Sequence, residues 1–236
     1  MSHTFEYTGD DVLDVMSKYA VKRNYRVEEL ITQHFGLHKA GRKVKLLEFG
    51  AGRGEFINRF RGRSHIETYA TDLDEQYYEN LGKNHRAYRL LSDLPSRVNF
   101  IYAIDVLEHI EDDLAILKQM HEYLEPGGKI LIYVPARPEL YSHFDKKIGH
   151  FRRYEPKDLE NKARQAGFTI DVLKYHDFLG YFAAYYNKFF FKEDTATLNP
   201  KAVQLYDRWL VPCTGFIEKI LRKPFIGKDL LLVAHK

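Results

Sequence analysis

Three glycines follow the end of one apolar run, in Glu48-Phe49-Gly50-Ala51-Gly52-Arg53-Gly54. Val44 to Phe49 reads as a buried strand, and Glu55 to Phe60 as the start of a helix. Glycine is needed where backbone turns tightly or comes within contact distance of a ligand. A strand, glycine turn and helix in this order commit the chain to an α/β sheet whose ligand site lies at the carboxyl end of that strand. The rest of the sequence agrees. Further strands are predicted over residues 66–71, 87–91, 98–105, 129–134, 168–175 and 229–235. Helices are predicted over 11–35, from Asp74 to Gly82, over 112–123 up to the stop signal Pro126-Gly127-Gly128, and from Glu155-Pro156 to Gly167. The expected fold is α/β, a mostly parallel sheet with helices on both faces.

With 236 residues, the chain reads as one domain: a helical cap over 1–43, a ligand-binding core over 44–175, an aromatic-rich helical insertion over 176–228 and a last strand over 229–236. Its single cysteine, Cys213, excludes an internal disulfide and a cysteine-based zinc cluster, and fits a reducing, cytoplasmic setting. Met1 to Asp14 lacks the apolar segment of a signal peptide. A net charge of +3 is too small for the basic footprint of an obligate nucleic-acid binder.

Two ligand classes compete for the glycine turn. A dinucleotide fingerprint, G-x-G-x-x-G, would need its third glycine at position 55, which is Glu55. An acid at that point opposes a pyrophosphate. The observed G-x-G-x-G, with Glu48 two residues ahead of it, suits a ligand with a cationic end and no phosphates. Asp72 ends the Tyr69-Ala70-Thr71-Asp72 strand, where a carboxylate can accept both hydroxyls of a ribose.

On these residues the chain resembles the class I S-adenosylmethionine-dependent methyltransferases over nearly its whole length, and in places a group of small bacterial members. Leu47 to Gly54 resembles the family's first motif. The turn at Asp105-Val106-Leu107-Glu108-His109-Ile110 and the segment Leu124-Glu125-Pro126-Gly127-Gly128-Lys129 are similar to two later ones. The resemblance implies a Rossmann-like seven-stranded sheet with an antiparallel last strand at Asp229 to Lys236. It implies S-adenosylmethionine held by Glu48, Gly50, Ala51, Gly52, Gly54 and Asp72. Leu73, Ser92 and Asp93 would lie at the adenine, Asp105 and Val106 near the sulfonium end, and Tyr25, from Arg23-Asn24-Tyr25, over the cofactor.

The segment Tyr141-Ser142-His143-Phe144-Asp145 to Gly149-His150-Phe151-Arg152-Arg153-Tyr154 follows the fifth predicted strand and so lies at the sheet edge that carries the glycine turn. It resembles the G-H-x-R-R-Y segment of the small bacterial group. Methyl transfer is an in-line displacement, so the protein must align the acceptor and exclude water. A hydroxyl acceptor also needs a base. Candidates are His150, His143 and His109, with Asp145 orienting a histidine or binding the acceptor directly. Arg152 and Arg153 are candidates for an anionic group on the acceptor, beside Tyr141 and Tyr154; the arginines equally suit ion pairs that fix the loop.

The expected activity is methyl transfer to a small molecule, at an oxygen of a secondary metabolite or sugar-like compound. The alternatives are a nitrogen or carboxylate acceptor, and a cofactor-binding partner protein without turnover. Asp105-Val106-Leu107-Glu108 offers no ring to stack a flat base, which speaks against DNA adenine methylation, and Cys213 is far from the motif turns, which speaks against cytosine chemistry. No catechol-type Asp and Asn set is present, so no metal is expected. In the insertion, residues 178, 181, 182, 185, 186 and 189 are aromatic at helical spacing. Three readings stand for them: packing on the domain or on a second copy in a homodimer, an aromatic wall for the acceptor, or shallow contact of residues 178–191 with a membrane or lipid-linked substrate, with Lys188, Lys192, Arg222 and Lys223 near headgroups.

Overall fold

A computed structural model describes residues 9–38, 41–190, 198–221 and 223–236. Phe191, Lys192 and Arg222, part of the aromatic and basic segment above, lie outside the described residues. The chain forms a seven-stranded sheet from β1 (Val44–Phe49), β2 (Ile66–Thr71), β3 (Arg86–Tyr88), β4 (Val98–Ile104), β5 (Leu124–Pro135), β6 (Thr169–His176) and β7 (Asp229–His235). The order across the sheet is β3-β2-β1-β4-β5-β7-β6. Strands β1 to β5 pair in parallel, and β7 runs antiparallel between β5 and β6, as expected.

Both faces of the sheet are covered, which is why the inner strands are apolar at almost every position. Leu46, Tyr102, Leu131 and Leu231 point to one face. They meet Val27 and Ile31 of α2 (Val21–His34). Leu47, Ile101, Ile130 and Leu232 point to the other. There they meet Leu117 and Met120 of α4 (Asp113–Tyr123) and Leu159 and Ala163 of α6 (Pro156–Gln165). Side-chain oxygens cap α3 (Glu75–Gly82), where Asp74 accepts from the Gln76 and Tyr77 amides, and α4, where Asp112 accepts from the Ala115 amide.

Several boundaries differ from the sequence reading. The single helix expected over 11–35 is two, α1 (Asp10–Tyr19) and α2, separated at Ala20. No α-helix begins at Glu55; a short 3-10 turn, Ile57–Phe60, takes its place. The buried Glu48 carboxylate accepts the Ile57 amide at 2.7 Å, and so anchors the chain where a regular helix would need to start. Pro126-Gly127-Gly128 lies within β5, ahead of its regular pairing, and the register with β4 slips between Val98 and Phe100. The third strand is shorter and earlier than predicted.

The insertion is helical: α7 (Phe178–Phe190), α8 (Pro200–Leu205), a π-helical turn at Tyr206–Leu210, and α9 (Val211–Leu221). α7 packs on α9, and α8 packs on α1. A short helix, α5 (His143–Lys147), follows β5. Among the described residues no helix is long and apolar enough to cross a membrane.

Candidate functional site

In the sheet order the connections reverse direction between β1 and β4, and open α/β sheets bind ligands at this switch point, beyond the carboxyl ends of the strands. The Gly50 turn after β1 and the Asp105 turn after β4 meet there. Gly50 has φ +69°, and a Cβ on it would lie 2.6 Å from Val106 Cγ1, so no larger residue fits without displacing the second turn. Asp72, at the end of β2, closes the arrangement: its Oδ2 accepts the Gly52 amide at 2.6 Å and its Oδ1 the Asp74 amide at 3.0 Å. Burial raises the Asp72 carboxyl above the ordinary range. Glu48 lies beneath the turn, accepting from Tyr102 Oη at 3.1 Å as well as from Ile57, and burial pushes its pKa up to about 8.

A continuous cleft of about 1550 Å³ opens above these turns. Its second wall is the loop after β5. Asp145 lies at the centre of that loop with no exposed surface. It accepts from Ser142 N at 2.9 Å and Ser142 Oγ at 3.0 Å, from Arg153 Nε at 2.9 Å, and makes a 2.9 Å hydrogen bond with His150 Nδ1. Burial alone would raise its pKa, but the His150 and Arg153 contacts bring it down to about 2. Asp145 is therefore a fixed anion behind His150, and the other ring nitrogen of His150 faces the buried Glu108 at 3.7 Å. The His109 ring meets that of His150 edge to face, 4.6 Å between centroids, and burial holds the His109 pKa down at about 4. Burial and the nearby Asp105 charge hold the Glu108 carboxyl well above its ordinary value.

The roof comes from the two ends of the chain. Met16 and Ser17 of α1, Ala202 and Val203 of α8, and Ala183 and Ala184 of α7 line the cleft. The Asp207 carboxylate accepts the Lys22 and Arg23 amides, each at 2.9 Å, and so caps α2 from inside the insertion. Arg23 in turn pairs with Asp105, which stands at φ +54°, and lies over the Tyr133 ring.

Of the residues expected at the cofactor, Glu48, Gly50, Ala51, Gly52, Asp72, Leu73, Asp105 and Val106 line the cleft. Gly54 does not; it is set against Asn58 and Leu81. Tyr25 is 55% exposed, outside the cleft, and its neighbours Arg23 and Asn24 take the inner position. Ser92 and Asp93 also stay out of the wall, where Leu90 and Leu91 stand instead; Asp93 accepts the Leu90 amide. On the acceptor side His109, Tyr141, His143, His150 and Arg153 line the cleft. The Tyr141 hydroxyl donates to the His150 carbonyl at 2.6 Å and so orders the loop. Arg152 and Tyr154 do not reach it; both contact Asp113, the Tyr154 hydroxyl at 2.7 Å. Among the described side chains of α7, Gly180, Ala183, Ala184, Asn187 and Lys188 line the cleft and none of these is aromatic; Phe182, Tyr185 and Tyr186 are exposed. Sequence reasoning missed Arg23 and Asp207. Arg23 stands two residues before Tyr25, on the opposite side of the same helix, which is a signal in the sequence, whereas nothing local marks Asp207.

A family model described as a methyltransferase domain matches residues 19–173. No curated protein matches the sequence significantly. Among solved structures, a SAM-dependent methyltransferase from Archaeoglobus fulgidus is similar with TM-score 0.57 and 18% identity, covering 90% of this chain and 94% of that one. A cyclopropane synthase from Mycobacterium tuberculosis aligns with TM-score 0.57 and 15% identity over 88% of this chain and 83% of its own. A geranyl diphosphate C-methyltransferase from Streptomyces coelicolor, solved with Mg2+, geranyl diphosphate and S-adenosyl-L-homocysteine, aligns with TM-score 0.61 and 13% identity over 89% and 78%. At these identities the likeness is one of fold.

Proposed function

Because the chain belongs to the methyltransferase-domain family and is an S-adenosylmethionine-dependent methyltransferase, we propose that it methylates a hydroxyl oxygen of a small molecule, with His150 taking the proton. The observation that carries this reading is the Asp145–His150 pair on the wall of the same cleft as the glycine turn. A carboxylate bonded to Nδ1 fixes the imidazole tautomer and leaves Nε2 as the basic atom.

The residues present fit the cofactor. Gly50 to Gly52 border the cleft with almost no side chain, and the acidic groups beside them are Asp72, the Arg23-paired Asp105 and the buried, proton-holding Glu48. Arg53, the one cation in the turn, is paired with Asp10 and Asp14. Such a turn suits a cationic ligand without phosphates. When bound, S-adenosylmethionine supplies a methyl group on an activated sulfonium. Asp72 has lone pairs left for ribose hydroxyls, and the Gly50 to Gly52 backbone would meet the methionine end. Arg23 neutralises Asp105 and joins the roof to the floor. The roof of α1, α7 and α8 keeps water from the acceptor, which matters because hydroxyls of water and acceptor compete for the same methyl group. Arg153, held by Asp145, tethers the loop that carries His150. The small residues of α7 leave room for an acceptor of appreciable size.

The test has two steps. Calorimetric titration with S-adenosylhomocysteine, with NADH as control, reads the cofactor; binding of the first alone is expected. Product analysis over hydroxylated, amino and carboxylate acceptors then reads the atom. Methylation at nitrogen or carboxylate in place of oxygen would overturn the hydroxyl reading. His150→Ala is expected to lower kcat by about 10²–10⁴-fold with the S-adenosylhomocysteine affinity unchanged.

A further inference from the structure

Glu108 is fully buried, and neither of its carboxylate oxygens has a hydrogen-bond partner. Burying a carboxylate costs several kcal/mol unless donors or a charge meet it. Two imidazoles stand against it. His150 Nε2 lies 3.7 Å from Glu108 Oε1, beyond a hydrogen bond. One donor atom from each of Glu108, His109 and His150 lies within 4.8 Å of the other two.

We propose that Glu108, His109 and His150 bind one divalent first-row transition cation, such as Mn2+, Co2+ or Zn2+, at the wall of the cleft. Two imidazole nitrogens and one carboxylate form a donor set of intermediate softness, which suits these ions better than Ca2+. Metal–ligand bonds of ~2.0–2.2 Å place donor atoms about 3–3.6 Å apart, so small side-chain movements close the triangle. Three protein ligands leave at least one position open, and His109, Glu108 and His150 all border the cleft. The supporting contacts are also in place. Asp145 holds His150 Nδ1, which leaves Nε2 directed at Glu108, and a hydrogen bond with the Gly149 backbone holds the His109 ring. A carboxylate behind a ligating histidine is the usual outer contact of such sites. No motif announced this triad, because Glu108-His109 follows β4 and His150 follows α5. The expectation of no metal rests on the lack of a catechol-type Asp and Asn set, which says nothing of a Glu-His-His set.

For its catalytic use, though not for binding, the proposal rests on the hydroxyl-acceptor reading. His150 Nε2 cannot hold a cation and a proton together. In the loaded protein the acceptor oxygen would occupy the open position, its O–H bond would break with the proton passing to solvent through the cleft, and its electron pair would form the new O–C bond as the C–S bond breaks. In the metal-free protein His150 takes that proton.

Co2+ is the first probe. Titration of the metal-stripped chain, followed by visible d–d absorption and by calorimetry, is expected to give one site. Glu108→Gln and His150→Ala should lose it by more than ~100-fold, and Asp145→Asn should weaken it by about 10–100-fold as a positioning residue. His235→Ala, an exposed histidine paired with Asp171, should leave it unchanged. Each variant is checked for its fold by S-adenosylhomocysteine binding. Absence of a site in the wild type, or equal affinity in Glu108→Gln, would overturn the proposal. Should Glu108→Gln not fold, anomalous scattering from a wild-type crystal soaked in Mn2+ decides: a peak among the three residues supports the site, and a peak elsewhere or none removes it. Neither readout depends on turnover, so failure of the hydroxyl reading in product analysis leaves this result standing.

Discussion

On the glycine-turn side of the cleft, the Asp72 carboxylate reaches the Gly52 amide across 20 residues and the Asp74 amide across two. On the roof, the Asp207 carboxylate reaches the Lys22 and Arg23 amides across 185 and 184 residues. The chemistry is the same, a carboxylate accepting backbone amides, but its dependence on the fold is not. The first contact forms within one β-turn-β unit between neighbouring strands. The second exists only when the first and last quarters of the chain have closed over the sheet. The floor of the glycine turn is thus fixed by local structure, and the roof by assembly of distant segments. The roof helices α1 and α8 have no buried residue, and elements with few buried contacts are the ones that open at low cost. The roof is the part of this molecule suited to admit and release ligands.

The largest expected effect that separates the two sides is Asp72→Ala. It removes a hydrogen-bond acceptor for the cofactor and for the Gly52 amide together. Affinity for S-adenosylhomocysteine should fall by ~1–3 kcal/mol in calorimetry. The Gly52 amide should exchange with deuterium faster, and the Lys22 and Arg23 amides should not. Unchanged affinity would remove Asp72 from the ribose site. The converse experiment, Asp207→Ala, deletes the cap on α2. A lost cap costs roughly 0.5–2 kcal/mol, and here it also frees the roof. Faster exchange at Lys22 and Arg23, no change at Gly52, and an acceptor KM that rises more than the cofactor affinity falls are the expected outcomes. If Gly52 exchange rises as much as that of Lys22, the two sides are one cooperative unit and the comparison fails.

The same difference explains what could be read from the sequence. Every strand of the sheet and the helices α3, α4 and α6 follow from local apolar patterning and capping residues such as Asp74 and Asp112, and the glycine turn is contiguous. Gly50, Gly52 and Asp72 were therefore legible. The 3-10 turn after Gly54 was not, because it depends on Glu48 being buried beneath it, which is a property of the packed core. Tyr25 and Arg23 are neighbours with opposite orientations, and their choice is set by where α2 meets β5, a tertiary fact. Aromatic spacing on α7 correctly indicated a helix, but spacing cannot say which face meets the cleft; Ala183 and Ala184 do, and Phe182 does not. The approach of His150 to Glu108 brings together the turn before β5 and the loop after it, and left no trace in either.

Glu48 gives the smallest and most specific test, since it belongs to the local side yet acts through burial. Its folded-state pKa of about 8 lies above the ordinary 4.5 because burial disfavours the charge. The unfolded chain loses this proton at lower pH than the folded chain. Between those values the folded state binds more protons, so stability falls as pH rises through the window. Glu48→Gln keeps an acceptor oxygen for Ile57 and Tyr102 and cannot ionise. Relative to the wild type it should gain stability between about pH 5 and about pH 9, measured without cofactor. A gain on the order of 1 kcal/mol corresponds to a Tm difference of about 2–4 °C for a chain of this size. A difference independent of pH would mean that Glu48 is ionised in the fold. The floor of the glycine turn would then be held by charge, and the cofactor side would lose its independence from the acidic residues around it.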